Sequence, residues 1–123
     1  MSWLLIGVGG ALGSMARHGV NRLIHERMLG STFPLGIFIV NVVGSTLIGV
    51  LGGLIASERV HLSHEARLFV IVGLFGGFTT FSSFSLDTLA LMRDGHLTQA
   101  VGNVAGQVGL SLLGVWVGFR LAH

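Results

Sequence analysis

The chain has 123 residues; 51% are hydrophobic and 10% charged, with seven basic residues against five acidic ones. Water-soluble domains carry about 25% charged residues, so this chain cannot cover itself with polar groups, and lipid is the solvent its composition suits. A net charge of +2 is too small to point to nucleic acid, and the absence of cysteine excludes a disulfide framework, a thiolate nucleophile and a Cys-based metal site.

A spanning helix needs about 20 mostly apolar residues. The first apolar run, Ser2 to Ala16, stops at Arg17. It spans only if the helix continues to about Leu23, which puts Arg17 at membrane depth. No short apolar region is followed by a small-residue cleavage site and a soluble body, so no signal peptide is predicted. Residues 28–57, 68–86 and 95–119 contain no Asp, Glu, Lys or Arg. These runs predict an all-α membrane protein with four helices, at about 2–24, 34–56, 66–92 and 97–120. The loops are short, so residues 1–123 form a single four-helix transmembrane domain.

Four spans put both termini on one side. Arginine content near the span ends normally sets orientation. The side with the termini carries Arg59, Arg67 and Arg120; the other carries Arg22, Arg27 and Arg93. An even count predicts dual topology, copies inserting both ways up, and an antiparallel homodimer follows from it. The alternative is that so small a count sets no rule. Trp3 and Trp116 fall near one interface as anchors. Gly9/Gly13, Gly49/Gly53, Gly73/Gly77, Gly102/Gly106 and Gly114/Gly118 are GxxxG pairs, which let helix backbones approach where no hydrophobic force drives association.

Polar groups within lipid face an interior or a watery path. Asn103, Gln107 and Ser111 form a stripe at i, i+4, i+8 in the fourth span; Asn41 and Ser45 are four apart in the second. Arg17, Asn41, Thr79, Thr80, Ser82, Ser83, Asn103, Gln107 and Ser111 make a set of donors. The acid nearest a span is Asp87, read as either a pore-mouth residue or a helix-end partner of an arginine, the second being preferred. Donors without acids suit an anion. Interhelical hydrogen bonding accounts for any one amide, less well for a whole stripe with a buried guanidinium.

The stretch GLFGGFTTFSSFSLD, Gly73 to Asp87, places Gly76 and Gly77 where a helix can break mid-membrane. A break frees carbonyls that lipid cannot satisfy, and a cation is one way to take them. Phe75, Phe78, Phe81 and Phe84 recur every third residue. Phenyl rims are positive, so edge-on rings can line an anion path without a trapping charge. Lipid contact or core packing is the plainer role for such a ladder. No nucleophile-elbow motif is present, and the six histidines lie near span ends. No enzyme is predicted.

Together, GGALGSMAR with Arg17, PLGIFIVNVVGS with Asn41, GLFGGFTTFSSFS, and the Gly-rich fourth span with Ser111 resemble the Fluc-type (CrcB-like) fluoride channels over essentially the whole chain. Ile37, Gln107 and Val115 depart from the pattern of many relatives. The resemblance implies an antiparallel dual-topology homodimer with two pores in the inner (plasma) membrane of a prokaryote. It implies passive, selective fluoride efflux that protects the cell. By similarity, Phe81 and Phe84 are the pore phenylalanines, Asn41 is the pore-lining amide, and Ser82, Ser83 and Ser111 make the hydroxyl track. Gly76 and Thr79 give backbone carbonyls to a structural Na+ on the dimer axis, and Arg17 sits near the vestibule. Two other classes remain: a small dual-topology multidrug exporter, which needs an acid deep in a span where the first span has none, and a non-conducting membrane subunit.

Overall fold

A computed structural model describes residues 1–123, all of them helix or short connection. α1 runs Ser2–Arg27 and α2 runs Leu35–Ala56. Pro34 sits at the cap position of α2, where a missing N–H costs nothing. The third segment, His64–Arg93, has four parts. α3, His64–Arg67, is started by Ser63, whose hydroxyl accepts from the Ala66 N–H at 3.1 Å. The helix then widens to π geometry over Leu68–Phe75 and tightens again as α4, Gly76–Phe78. After Thr79 and Thr80, α5 runs Phe81–Arg93. Gly95, at φ +81°, turns the chain in a conformation only glycine adopts readily, and α6 runs Leu97–Ala122.

Three of these stretches, Leu35–Ala56, His64–Arg93 and Leu97–Ala122, are long and apolar enough to cross a membrane. At 1.5 Å per residue, the 22 residues of α2 reach about 33 Å, which matches a hydrocarbon core of about 30 Å. α1 is as long as α6, but Arg17, Arg22, Glu26 and Arg27 interrupt its second half.

Only 17 of 123 residues are buried, while Trp3, Leu4, Leu110, Leu112, Leu113 and Trp116 are exposed. A chain this apolar with so small a core needs lipid or another protein around it. The packing is backbone against backbone. A Cβ on Gly9 would run into the Phe69 carbonyl, and one on Gly13 into the Leu74 carbonyl. Gly73 and Gly77 meet α1 from the other side, at Gly9 and Gly10. α2 and α6 pack likewise: Gly49 and Gly53 lie against the carbonyls of Val115 and Phe119, and Gly114 and Gly118 against Thr46. Four of the five GxxxG pairs therefore sit at helix contacts. The pair Gly102/Gly106 does not act as a unit, since Gly102 faces open space and Gly106 meets only the Phe38 ring.

The departure from helix in the third segment falls on Thr79 and Thr80, not on the glycines. Gly76 is helical at φ −61°, ψ −35°, whereas Thr79 (−84°, 157°) and Thr80 (−152°, 118°) are extended. Gly77 instead serves close approach to α1. Threonine offers the backbone a competing partner: the Thr80 hydroxyl accepts from the Ser83 N–H at 3.2 Å and caps α5.

Candidate functional site

The extended pair opens onto a cavity of about 310 Å³ between α2, α5 and α6. α2 contributes Asn41 and Ser45, one turn apart. The junction contributes Thr79 and Thr80, and α5 adds Phe81 and Phe84. α6 supplies Gln107 and Ser111, again one turn apart, with two aliphatic side chains. No Asp, Glu, Lys, Arg or His lines it. Its polar wall is amides and hydroxyls beside aromatic rims.

Asn41 grips the Thr80 peptide from both sides. Its Oδ1 accepts from the Thr80 N–H at 2.9 Å, and its Nδ2 donates to the Thr80 carbonyl at 3.0 Å. These two bonds replace helical partners that an extended residue lacks. The second Asn41 N–H goes to Gln107 Oε1 at 2.7 Å. Gln107 Nε2 donates to Asn103 Oδ1 at 2.9 Å, and Asn103 Nδ2 to Thr88 Oγ1 at 3.0 Å. The Thr88 hydroxyl donates to the Phe84 carbonyl at 2.8 Å. Asn103 is fully buried and Gln107 nearly so, yet no buried side-chain nitrogen or oxygen lacks a partner.

The Phe81 and Phe84 rings lie 5.3 Å apart at 66°, edge to face. Phe84 is buried; Phe81 is 77% exposed in the single chain. Ser82 is exposed and Ser83 half-buried. Neither lines the cavity; their hydroxyls lie 3.2 and 3.3 Å from Thr80 Oγ1. Ser111 is in the wall. Arg17 is half-buried on α1, outside the cavity and without a salt bridge.

Gly76 and Thr79 share a second, smaller cavity of about 170 Å³ with Gly44 and Ser45. The Thr79 carbonyl accepts no hydrogen bond from the chain. Asp87 is not paired with an arginine, contrary to the sequence expectation. The one salt bridge is Arg22–Glu26, exposed and i, i+4 on α1, and Asp87 instead lines a cleft with Thr32, Asp94 and His96. A negative side chain one helix turn or more from Arg93 is not thereby oriented toward it.

Sequence reasoning named Thr80, Asn103 and Gln107 only as donors in a set. Thr80 is the hub, gripped through its backbone and capping through its hydroxyl. Residue type gave a partial signal, since threonine is among the preferred helix-start residues, but it fits Thr79 and Thr80 alike. Thr88 gave no signal, being one hydroxyl among several.

Comparison with known proteins gives a consistent picture. The family model for CrcB-like protein, Camphor Resistance (CrcB), matches residues 4–119. A protein of Methylocella silvestris called "Fluoride-specific ion channel FluC" is 50% identical over 123 residues, covering 99% of this chain and 93% of that one. A protein of the same name from Opitutus terrae is 50% identical over 117 residues, covering 94% and 88%. Another, from Parabacteroides distasonis, is 48% identical over 119 residues, covering 97% and 90%. With a match over nearly its full length, the chain belongs to the CrcB-like family.

Proposed function

We propose that this protein is a fluoride-selective ion channel of the bacterial inner membrane, which lets fluoride leave the cytoplasm by passive flow and so protects the cell. The observation that carries it is the charge-free crevice of Asn41, Thr80, Phe81, Phe84, Gln107 and Ser111, in a chain half identical to proteins called fluoride-specific channels. Fluoride is small and strongly hydrated. A dry path must replace its water with several donors, each weak enough to release it. Amide and hydroxyl hydrogens and phenyl rims meet that condition; an ammonium would hold the ion.

In this proposal all four long helical segments span, α1 included, and residues 1–123 make one transmembrane domain. The third span is interrupted mid-membrane at Thr79–Thr80. Two copies pair antiparallel, which covers Phe81 and gives two pores. Ser82, Ser83 and Ser111 extend the hydroxyl track, and Arg17 raises anion concentration at the mouth. A structural Na+ fits the carbonyls of Gly76 and Thr79. The Thr79 oxygen has no partner in the chain, both residues face one small cavity, and hard cations take oxygen donors. The ion would tie the two interrupted segments together; it takes no part in permeation.

The test is efflux of fluoride from liposomes holding the purified protein, followed with a fluoride electrode. Rapid efflux that is the same with and without a pH gradient supports the channel. Efflux that requires a proton gradient points to an exporter. No efflux removes the proposal. Tags at His123 found on both faces of the membrane would support the antiparallel dimer; tags on one face alone would remove it.

A further inference from the structure

The buried amides of α6 form a chain whose direction is imposed from one end. The Thr80 N–H is a backbone donor and cannot turn round, so Asn41 must present Oδ1 to it. The Asn41 NH2 must then face the Thr80 carbonyl and Gln107, so Gln107 must present Oε1. Its NH2 must therefore face Asn103 Oδ1, and the Asn103 NH2 must face Thr88 Oγ1. The Thr88 hydroxyl is left to donate to the Phe84 carbonyl. Each amide has one acceptor end and one donor end, and every link closes without conflict.

The chain starts and ends on the same piece of backbone. Thr80 immediately precedes Phe81, and the last link lands on the carbonyl of Phe84. The turn that carries both phenyl rings is thus held at its two ends by one series of bonds running through α2 and α6. Asn103 does not line the cavity and is fully buried. We infer that Asn103 and Thr88 are positioning residues for permeation. Through Gln107 they hold in place the acceptor of the second Asn41 N–H, and through the Phe84 carbonyl they hold the far end of the Phe81–Phe84 turn, without touching the ion.

This has a consequence for the ion. Both Asn41 amide hydrogens are already given to protein acceptors, the Thr80 carbonyl and Gln107 Oε1. An anion obtains one only by displacing an acceptor, and the Gln107 side chain is the one that can swing. How readily it swings depends on its hold on Asn103. Fluoride, the strongest hydrogen-bond acceptor among the halides, competes best with an amide oxygen. The relay therefore contributes to discrimination between halides as well as to conduction.

The inference rests on the fluoride-channel proposal, and the test separates the two. The unmodified protein, Asn103→Leu, Thr88→Val, Thr88→Ser, Gln107→Met and the double variant Asn103→Leu/Gln107→Met are placed in liposomes. Fluoride and chloride efflux are measured for each, and folding is checked by monodispersity and thermal midpoint. Asn103→Leu and Thr88→Val should slow fluoride efflux by roughly tenfold, mid-range for coupled contacts, and lower the fluoride-to-chloride ratio. Thr88→Ser should restore both. The double variant should be no slower than its slower single. In nuclear magnetic resonance spectra the Asn41 side-chain NH2 signals should move in Asn103→Leu. Should Asn103→Leu misfold, Thr88→Val, a near-isosteric change, decides the matter. Folded Thr88→Val with unchanged rate and ratio overturns the relay, as do losses that simply multiply in the double. A wild-type protein that passes no fluoride overturns the channel proposal, and this inference with it.

Discussion

The two halves of the third segment are held in contrasting ways. Before Thr79, the chain lies flush against α1, with Gly9, Gly13, Gly73 and Gly77 letting carbonyls and Cα atoms touch. After Thr80, α5 buries only Phe84 and Leu91. Directional bonds from Asn41 and the Asn103–Thr88 pair do the holding there. Dispersion between close backbones is short-ranged and falls away with any side chain between them. Hydrogen bonds between amides instead fix direction and allow exchange of partners. The glycine half makes a frame; the amide half makes a wall whose donors an ion can borrow.

The largest expected effect is on the frame. Gly13→Val puts a branched side chain into the Leu74 carbonyl, backbone that cannot retreat cheaply. Folded, monodisperse protein should be lost altogether in size-exclusion chromatography. Next comes Asn41→Leu, which strands the Thr80 N–H and carbonyl. It also removes the crevice's amide donor; a hydrogen bond to a charged group is worth about 1.5–3 kcal/mol, so fluoride efflux should fall by roughly a hundredfold while the dimensions of the purified protein stay normal. Phe84→Leu keeps an apolar side chain but removes the ring and its positive rim; efflux should fall by about tenfold, the scale of one good ring contact, with chloride better admitted. If Asn41→Leu behaved like Gly13→Val and failed to fold, the distinction between frame and wall would collapse.

The smallest effects sharpen the same contrast. Gly102→Ala faces open space within the chain and should leave the thermal midpoint unchanged or slightly raised, since alanine is favoured over glycine in a helix by about 1 kcal/mol. A clear loss of stability would show that a second copy packs there. Glu26→Ala removes an exposed pair worth about 0.3–0.5 kcal/mol and should change neither midpoint nor flux.

The all-helical character and the three apolar spans were legible in the sequence because both depend on composition over about 20 residues. The glycine contacts were largely legible too, since i, i+4 spacing puts both members of a pair on one face whatever the partner. The failure at Gly102/Gly106 shows the limit: a face is readable, but not what it faces. The π-helical stretch Leu68–Phe75 was invisible. In LFVIVGLF nearly every residue is apolar, so no pattern distinguishes a period of 3.6 from a wider one. The polar stripe Asn103, Gln107, Ser111 was visible, but Asn103 and Gln107 both bond to protein and Asn103 does not reach the crevice, because α6 is rotated so that Asn103 and Gln107 point at α5 and α2. Gln107 is the link that joins Asn103 to Asn41. Thr79 and Thr80 carry the extended backbone in place of Gly76 and Gly77, because a hydroxyl cap and an asparagine clamp favour the break there while α1 holds Gly77 in helix.

The most direct test of a crevice that gives hydrogens and withholds charge is the ratio of initial fluoride to chloride efflux from the same liposomes, each halide driven by the same potassium gradient through a potassium carrier. Fluoride should leave within seconds while chloride stays at the leak level of protein-free liposomes. Comparable rates for the two halides would contradict the account.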